Sequence, residues 1–328
     1  MTTEVLLGVD VGGTTTAAGL VTAAGAVLAE TSAATHGGGR GTALLTITEL
    51  VASVLDRAQR ESLRVAGIGV GVPGIVDAAS GRIGDEIPNV PELAGQLLAA
   101  ALGERFRLPA FVDNDVNALA FGEYVFGAGR GARSLVVLAP GTGFGAGIVL
   151  DGRLVRGAGG FGGEFGHAPV KFDGRPCWCG GRGCVAVYAS GRGIAEAARA
   201  QAAVHRQSTL LAVAGGDPAA ITAPMVFAAA AAGDPVAAAV IAEACRALGA
   251  IIAVIVNGLN PEVIVVTGGV AASYLPLERK VVKAAAEHAF ARALAQTRLS
   301  IVPGDKRVTM RGAAALVLYE TRLEGGRP

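Results

Sequence analysis

One histidine and three cysteines fall close together in the second half of the chain. His167 closes the run Gly162-Gly163-Glu164-Phe165-Gly166-His167, and Cys177-Trp178-Cys179 and Cys184 follow it. One imidazole and three thiolates fill the four tetrahedral positions of a structural zinc site. The chain has four histidines, and His167 alone lies near the cysteines. A disulfide framework would spread its cysteines more widely, so the cluster points to metal in a reducing compartment. Cys245, in an alanine-rich stretch, reads as a small buried residue.

A second group, Val112-Asp113-Asn114-Asp115, carries acid and amide at the end of an apolar segment. Phosphoryl transfer to an alcohol asks the protein for positioning, charge neutralisation and a carboxylate that accepts the hydroxyl proton. Asp115 is the candidate base, and Asn114 a candidate donor and acceptor for a hydroxyl. The competing reading is an Asx turn that caps the following helix.

Two glycine- and threonine-rich loops complete the inventory. Asp10-Val11-Gly12-Gly13-Thr14-Thr15-Thr16 lies between two apolar segments, and Pro140-Gly141-Thr142-Gly143-Phe144-Gly145 repeats the arrangement. Glycines let backbone N–H groups approach an anion, and Thr14 and Thr15 add hydroxyls. Asp10 could hold magnesium beside the phosphates, directly or through water. Either loop alone reads as a tight turn; the matched pair suggests a clamp on a polyphosphate. Neither follows the P-loop pattern, and neither runs straight into a helix as a dinucleotide fingerprint does. Gly268-Gly269, at the end of EVIVVTGG, reads equally as a face for adenine or ribose and as a close strand–helix contact.

The elements that would position these residues repeat along the chain. Residues 5–30 and 134–157 each read as strand, Gly/Thr loop, strand, tight turn and strand, with Ala24-Gly25 and Asp151-Gly152 as the turns. Alternating helices and strands follow each copy. The spacing predicts a helix over 42–60, a buried strand over 65–74, a helix over 91–103 and a strand running into a helix over 108–118. Asp234-Pro235 reads as an N-cap with proline at the first helical position, opening a helix to about Val256. Residues 262–269 read as a buried strand, and 307–320 as a last helix returning to the first half. The class is α/β with two related domains: residues 1–116 with about 312–328 returning, and residues 117–311.

Composition limits the alternatives. The net charge is +1, from 28 Lys and Arg against 27 Asp and Glu, so no strong field would draw nucleic acid or an anionic membrane. Hydrophobic residues make up 52%, yet the longest unbroken apolar run, about Ala247 to Val256, falls short of a membrane span. The N-terminus shows no secretory signal. A cytoplasmic protein, without membrane or nucleic-acid partners, is expected.

The motifs DVGGTTT, VPG at 72–74, DNDVNA at 113–118, GTGFGAG at 141–147, GGEFGH at 162–167, CWCGGRGC at 177–184 and TGG at 267–269 resemble, in order and spacing, those of the ROK family of bacterial sugar kinases and related repressors, its glucokinases in particular. The resemblance implies an actin-like (ribonuclease H-like) ATPase fold of two domains around an active-site cleft. It implies ATP and magnesium held by Asp10, Gly12, Gly13, Thr14, Thr15, Gly141, Thr142, Gly143, Gly268 and Gly269. It also implies Asp115 as catalytic base, with Gly74, Asn114, Glu164 and His167 touching the sugar. His167 then serves twice, ligating zinc through one ring nitrogen and meeting a sugar hydroxyl with the other. A homodimer or homotetramer is implied too.

One position departs from the family. Members with this zinc motif place a sugar-binding glutamate two residues after the last cysteine, where this chain has Ala186. Glucose is the default acceptor; another hexose, an amino sugar or a cyclitol is the alternative. The family's repressors carry an N-terminal helix-turn-helix, whereas a core strand begins here by Val5 and the charge offers no DNA footprint. A kinase is therefore expected rather than a regulator.

Overall fold

The computed structural model describes residues 3–85, 87, 89–205 and 207–325. Its strands are β1 (Glu4–Val11), β2 (Thr15–Thr22), β3 (Val27–Ala34), β4 (Arg64–Val72), β5 (Val76–Asp77), β6 (Arg82–Ile83), β7 (Ala110–Asn114), β8 (Ser134–Pro140), β9 (Phe144–Leu150), β10 (Arg153–Leu154), β11 (Val263–Val266) and β12 (Arg298–Ile301). They form two five-stranded sheets, ordered β3-β2-β1-β4-β7 and β10-β9-β8-β11-β12, and a small β5-β6 pair. The sequence repeat is thus a structural one, because each large sheet opens with an antiparallel three-strand meander. At the second meander's turn Asp151 and Gly152 both take positive φ (47° and 76°), as a type I′ hairpin requires.

The helices are α1 (Ala43–Arg60), α2 (Leu98–Phe106), α3 (Asp115–Phe126), α4 (Ala186–Ala189), α5 (Gly191–Val204), α6 (Thr209–Val213), α7 (Ala223–Ala231), α8 (Pro235–Leu259), α9 (Ala271–Tyr274), α10 (Glu278–Ala286), α11 (Ala291–Gln296) and α12 (Lys306–Gly325). The helix expected over 91–103 is two pieces. A 3₁₀ turn over Pro91–Leu93 stops before Gly95, whose φ of +72° no right-handed helix accommodates, and α2 restarts at Leu98.

Two compact units emerge. The first comprises residues 1–133, 147–163 and 305–328, the second residues 134–146 and 164–304. In the first, β1, β4 and β7 run parallel, and valine and leucine from them meet Ile47, Val51 and Val54 of α1 in one core. Helix α12 covers the other face, where Met310, Ala314 and Val317 pack with Leu6 and Val21. In the second unit β8, β11 and β12 run parallel, each fully buried β11 residue being Val or Ile.

Helix α8 is long and apolar enough to span a bilayer by length and composition, which the unbroken-run criterion had missed. In the most apolar window of α8, 67% is buried inside the protein, and the helix packs against α4, α5, α7 and α10. It is the central core helix of the second unit. Asp234 caps it, accepting from the Ala237 N–H at 2.9 Å, with Pro235 next, as the sequence indicated.

Candidate active site and metal centre

Parallel strands bring their carboxyl ends to one edge, where α/β proteins place their ligands. In the first unit Asp10 pairs with Gly71 across β1 and β4, and Gly71 with Asp113 across β4 and β7. That register sets the Gly12–Thr14 loop, the turn at Gly74 and the Asn114–Asp115 pair at the same edge. This loop is braced from beneath. Gly12 N–H donates to Thr15 O at 3.1 Å, and the Thr35 hydroxyl donates to Gly12 O at 2.6 Å. Thr35 also meets the buried Thr16 hydroxyl at 3.0 Å. Gly12 therefore spends its own N–H on the turn, and Thr14 at its tip is exposed.

Asn114 is the N-cap of α3. Its Oδ1 accepts from the N–H groups of Val116 (2.9 Å) and Asn117 (3.1 Å), and its Nδ2 donates to Gly74 O at 3.0 Å. A primary amide has two donor hydrogens and two acceptor positions. These three bonds leave at most one N–H for a ligand, so the Asx-cap reading holds for Asn114 and its capacity as a sugar acceptor is spent. Asp115 opens the same helix, half-buried, with the Val116 N–H 2.9 Å from its Oδ1.

Beneath this pair lies an ionic network that the sequence reading missed. Asp113, 1% exposed, accepts from Asn114 N–H at 2.7 Å and from Asn117 Nδ2 at 3.0 Å through Oδ1. Its Oδ2 takes both Nε and Nη2 of Arg156 at 2.7 Å. Arg156 Nη2 also reaches Glu320 Oε1 of α12 at 2.6 Å, and the guanidinium lies 5.0 Å from the centre of the Tyr319 ring. Burial works against the Arg156 charge, but the two carboxylates outweigh it and hold its pKa above the ordinary arginine value. The available signal was the first aspartate of the DNDVNA motif, an acid on a buried strand that must be paired.

In the second unit the edge of β8, β11 and β12 carries the other loop. Gly191 N–H donates to Gly141 O at 2.8 Å and Arg192 N–H to Thr142 O at 3.2 Å, so the start of α5 holds this loop in place. Val270 N–H donates to Pro140 O at 2.9 Å, bringing the 268–270 turn alongside. The two glycines of that turn differ. Gly268 has φ +113°, and a Cβ on it would stand 3.0 Å from Pro140 O, so its glycine is a packing requirement. A Cβ on Gly269, Gly141 or Gly143 would meet nothing within 4 Å; these three face open space.

His167, Cys177, Cys179 and Cys184 converge, with one ligand atom from each lying within 4.8 Å of all the others. His167 Nδ1 is 3.5 Å from Cys177 Sγ, and Cys179 Sγ is 3.8 Å from Cys184 Sγ. A tetrahedral zinc with Zn–S of about 2.3 Å and Zn–N of about 2.0 Å has S–S edges of about 3.8 Å and S–N edges of about 3.5 Å. The donor set fits that ion in number, chemistry and spacing. Burial, with the neighbouring Cys177 and Cys179 sulfurs, pushes the Cys184 thiol up to about 12; the Gly181 N–H draws the Cys179 thiol down. The turn is built by Gly180 N–H on Cys177 O and Cys177 N–H on Gly181 O. With Nδ1 toward the sulfurs, the Nε2 edge of His167 points away from them. The loop that carries Glu164 and His167 is clamped at Gly166, where a Cβ would lie 2.0 Å from Phe144 O. Ala186, the first residue of α4, is 1% exposed.

Comparison with known proteins agrees with this arrangement. The ROK family profile matches residues 6–320. A glucokinase of Halalkalibacterium halodurans is 34% identical over 80% of this chain and 80% of its own length. The structure of a ROK family glucokinase from Streptomyces griseus, solved with glucose and AMPPNP, is 32% identical, covers 95% of this chain and 98% of that one, and superposes with a TM-score of 0.73. A ROK family transcriptional regulator, a homologue of the E. coli MLC protein, is 28% identical with a TM-score of 0.83, covering 98% of this chain and 80% of the regulator. The two related sheets, the motif loops at their parallel edges and these matches lead to one conclusion: the chain belongs to the ROK family, has its actin-like ATPase fold, and within that family resembles the bacterial glucokinases.

Proposed function

We propose that this ATP-dependent sugar kinase phosphorylates the 6-hydroxyl of glucose, with Asp115 as general base. The observation that carries the reading is the shared edge of β4 and β7, where the Asn114–Gly74 bond joins the two strand ends beside Asp115. A half-buried carboxylate at a helix N-terminus, next to a fixed amide, is the equipment for orienting a hydroxyl and taking its proton. As the hydroxyl oxygen bonds to the γ-phosphorus, its proton passes to Asp115, the bond from phosphorus to the β-bridging oxygen breaks, and ADP leaves. Asn114 offers its remaining Nδ2 hydrogen to the sugar, and Glu164 and the Nε2 edge of His167 serve its other hydroxyls. Gly12, Gly13, Thr14, Thr15, Gly141, Thr142 and Gly143 hold the phosphates, and Gly268 and Gly269 border the nucleoside. Asp10 holds magnesium, which neutralises charge on the transferring group when bound. His167, Cys177, Cys179 and Cys184 hold zinc, which fixes the tautomer and orientation of the His167 ring.

The relatives support this reading. The Halalkalibacterium protein is a glucokinase, and the Streptomyces griseus enzyme was solved with glucose and an ATP analogue. The clustered thiols favour a cytoplasmic protein, and a homodimer or homotetramer is part of the proposal.

A second acceptor reading rests on Ala186. Ala186 is 1% exposed where the resemblance to the family implies a sugar-binding glutamate, and on this reading the pocket is reshaped for another hexose, an amino sugar or a cyclitol. Coupled ADP release against glucose, mannose, glucosamine, N-acetylmannosamine and inositol decides between them. Glucose giving the highest kcat/KM, dependent on ATP and magnesium, supports the first reading. Turnover confined to another acceptor replaces it with the second, and no sugar-dependent ADP release contradicts both.

A further inference from the structure

We infer that Arg156 is a positioning residue for the phosphoryl-transfer step, setting the geometry of the base and of the loop that leads to Glu164. The inference rests on the assignment of Asp115 as base. Four contacts carry it. The guanidinium places two nitrogens on Asp113 Oδ2 at 2.7 Å. The other oxygen of Asp113 receives the backbone N–H of Asn114 at 2.7 Å and the side chain of Asn117 at 3.0 Å. Asn114 and Asp115 therefore take their backbone position from a carboxylate that Arg156 holds still. Nη2 then reaches Glu320 of α12 at 2.6 Å, which anchors the guanidinium to the helix covering β1 and β4.

The fourth contact is on the main chain. Gly162 N–H donates to Arg156 O at 2.8 Å, closing residues 156–162 into a loop whose foot is Arg156. The chain passes directly from this loop through Gly163 to Glu164 and on to His167. One side chain thus holds Asp113 on β7, two residues before the base, and its own backbone closes the foot of the 156–162 loop. A displacement of about 1 Å at a reacting group costs about a hundredfold in rate. A simple structural ion pair would not need a fork; lysine would serve. Arginine's planar guanidinium instead meets Asp113 and Glu320 in a fixed geometry.

Arg156 and Glu320 also line an open cleft of about 500 Å³ in the same unit, with Ile75, Asp77, Arg82 and Gly160. Truncating Arg156 opens a cavity onto this cleft, so a small soluble cation can enter it. The test is steady-state kinetics of Arg156→Ala and Arg156→Lys, with and without guanidinium chloride at tens of millimolar and sodium chloride as control, with thermal unfolding alongside. The expected result for Arg156→Ala is a kcat lower by about a hundredfold, sugar and ATP KM within about threefold, and recovery of at least about tenfold with guanidinium but not sodium. Arg156→Lys keeps the unfolding temperature yet loses about tenfold in kcat, because an ammonium cannot fork. Wild-type kcat in the lysine variant overturns the inference, as does an alanine variant that is folded and fully active, or inactive without recovery. If the alanine variant does not fold, the lysine variant decides alone. Asp115→Asn in the same assay separates the two levels: normal turnover there removes the base assignment, whatever Arg156 does.

Discussion

The side-chain amide of Asn114 joins two loops, donating to Gly74 O at 3.0 Å while its oxygen caps α3. Aspartate and alanine at this position separate the two roles. Asn114→Asp keeps an acceptor for the cap but sets a carboxylate against the Gly74 carbonyl, so it should lose about 1 kcal/mol or more with the tie while KM for sugar rises about tenfold or more. Asn114→Ala removes cap and tie together, at a cost of about 1 to 2 kcal/mol. Urea unfolding beside steady-state kinetics checks both; equal KM values in wild type and Asn114→Asp would remove Asn114 from the sugar site.

The tetrahedral edge lengths around His167 and the three cysteines predict one zinc per chain. Elemental analysis should find it, and thiol titration of native protein should leave Cys177, Cys179 and Cys184 protected. Cys184→Ser should lose the metal and raise sugar KM, because His167 loses its anchor, while ATP KM stays within about threefold. Zinc-free native protein with three freely titrating thiols contradicts the assignment.

Ala186→Glu puts a carboxylate where the side chain is 1% exposed. Without sugar the variant should lose on the order of 3 kcal/mol, the cost of a buried charge left without a partner. If the position faces a glucose hydroxyl, glucose supplies a charge-assisted contact of about 1.5 to 3 kcal/mol. Glucose should then restore the unfolding temperature and show a KM at least about tenfold lower than in wild type. KM values unchanged for every sugar would mean that Ala186 does not face the acceptor.

Asp234 carries a pH dependence. Burial opposes its charge, but the Ala237 N–H, the Ser208 and Thr209 hydroxyls and the Thr209 N–H outweigh that and hold the carboxyl down to about 2, against 3.8 unperturbed. A folded pKa below the unfolded one stabilises the protein above the unfolded value, and the contribution is lost as pH falls from about 4 toward about 2. The shift corresponds to about 2 kcal/mol. Asp234→Asn should therefore be less stable than wild type at neutral pH, and the gap should narrow as pH falls below about 4. Urea unfolding across that range checks it; a constant gap contradicts the charge-based account.

What the sequence made legible follows from how each feature is encoded. The clustering of His167 with the three cysteines, the N-cap at Asp234 and the strand–loop–strand repeat are local patterns whose chemistry or periodicity lies in neighbouring residues. The Asp113–Arg156–Glu320 network is not local, because its members lie on β7, after β10 and on α12 and meet only through the fold. The double use of Asn114 was equally hidden, since Gly74 becomes its partner only when β4 and β7 pair. The break at Gly95 was missed because apolar spacing over 91–103 continues through a residue whose backbone cannot be helical.

The most direct measurement is the turnover of Asp115→Asn with ATP, magnesium and glucose, or whichever sugar the acceptor panel selects. Asparagine keeps the shape and removes the basicity, so kcat should fall by roughly 10² to 10⁴. Sugar binding, read by titration without ATP, should stay within about threefold. A variant that turns over at the wild-type rate contradicts the account, because the proton of the sugar hydroxyl would then have another acceptor.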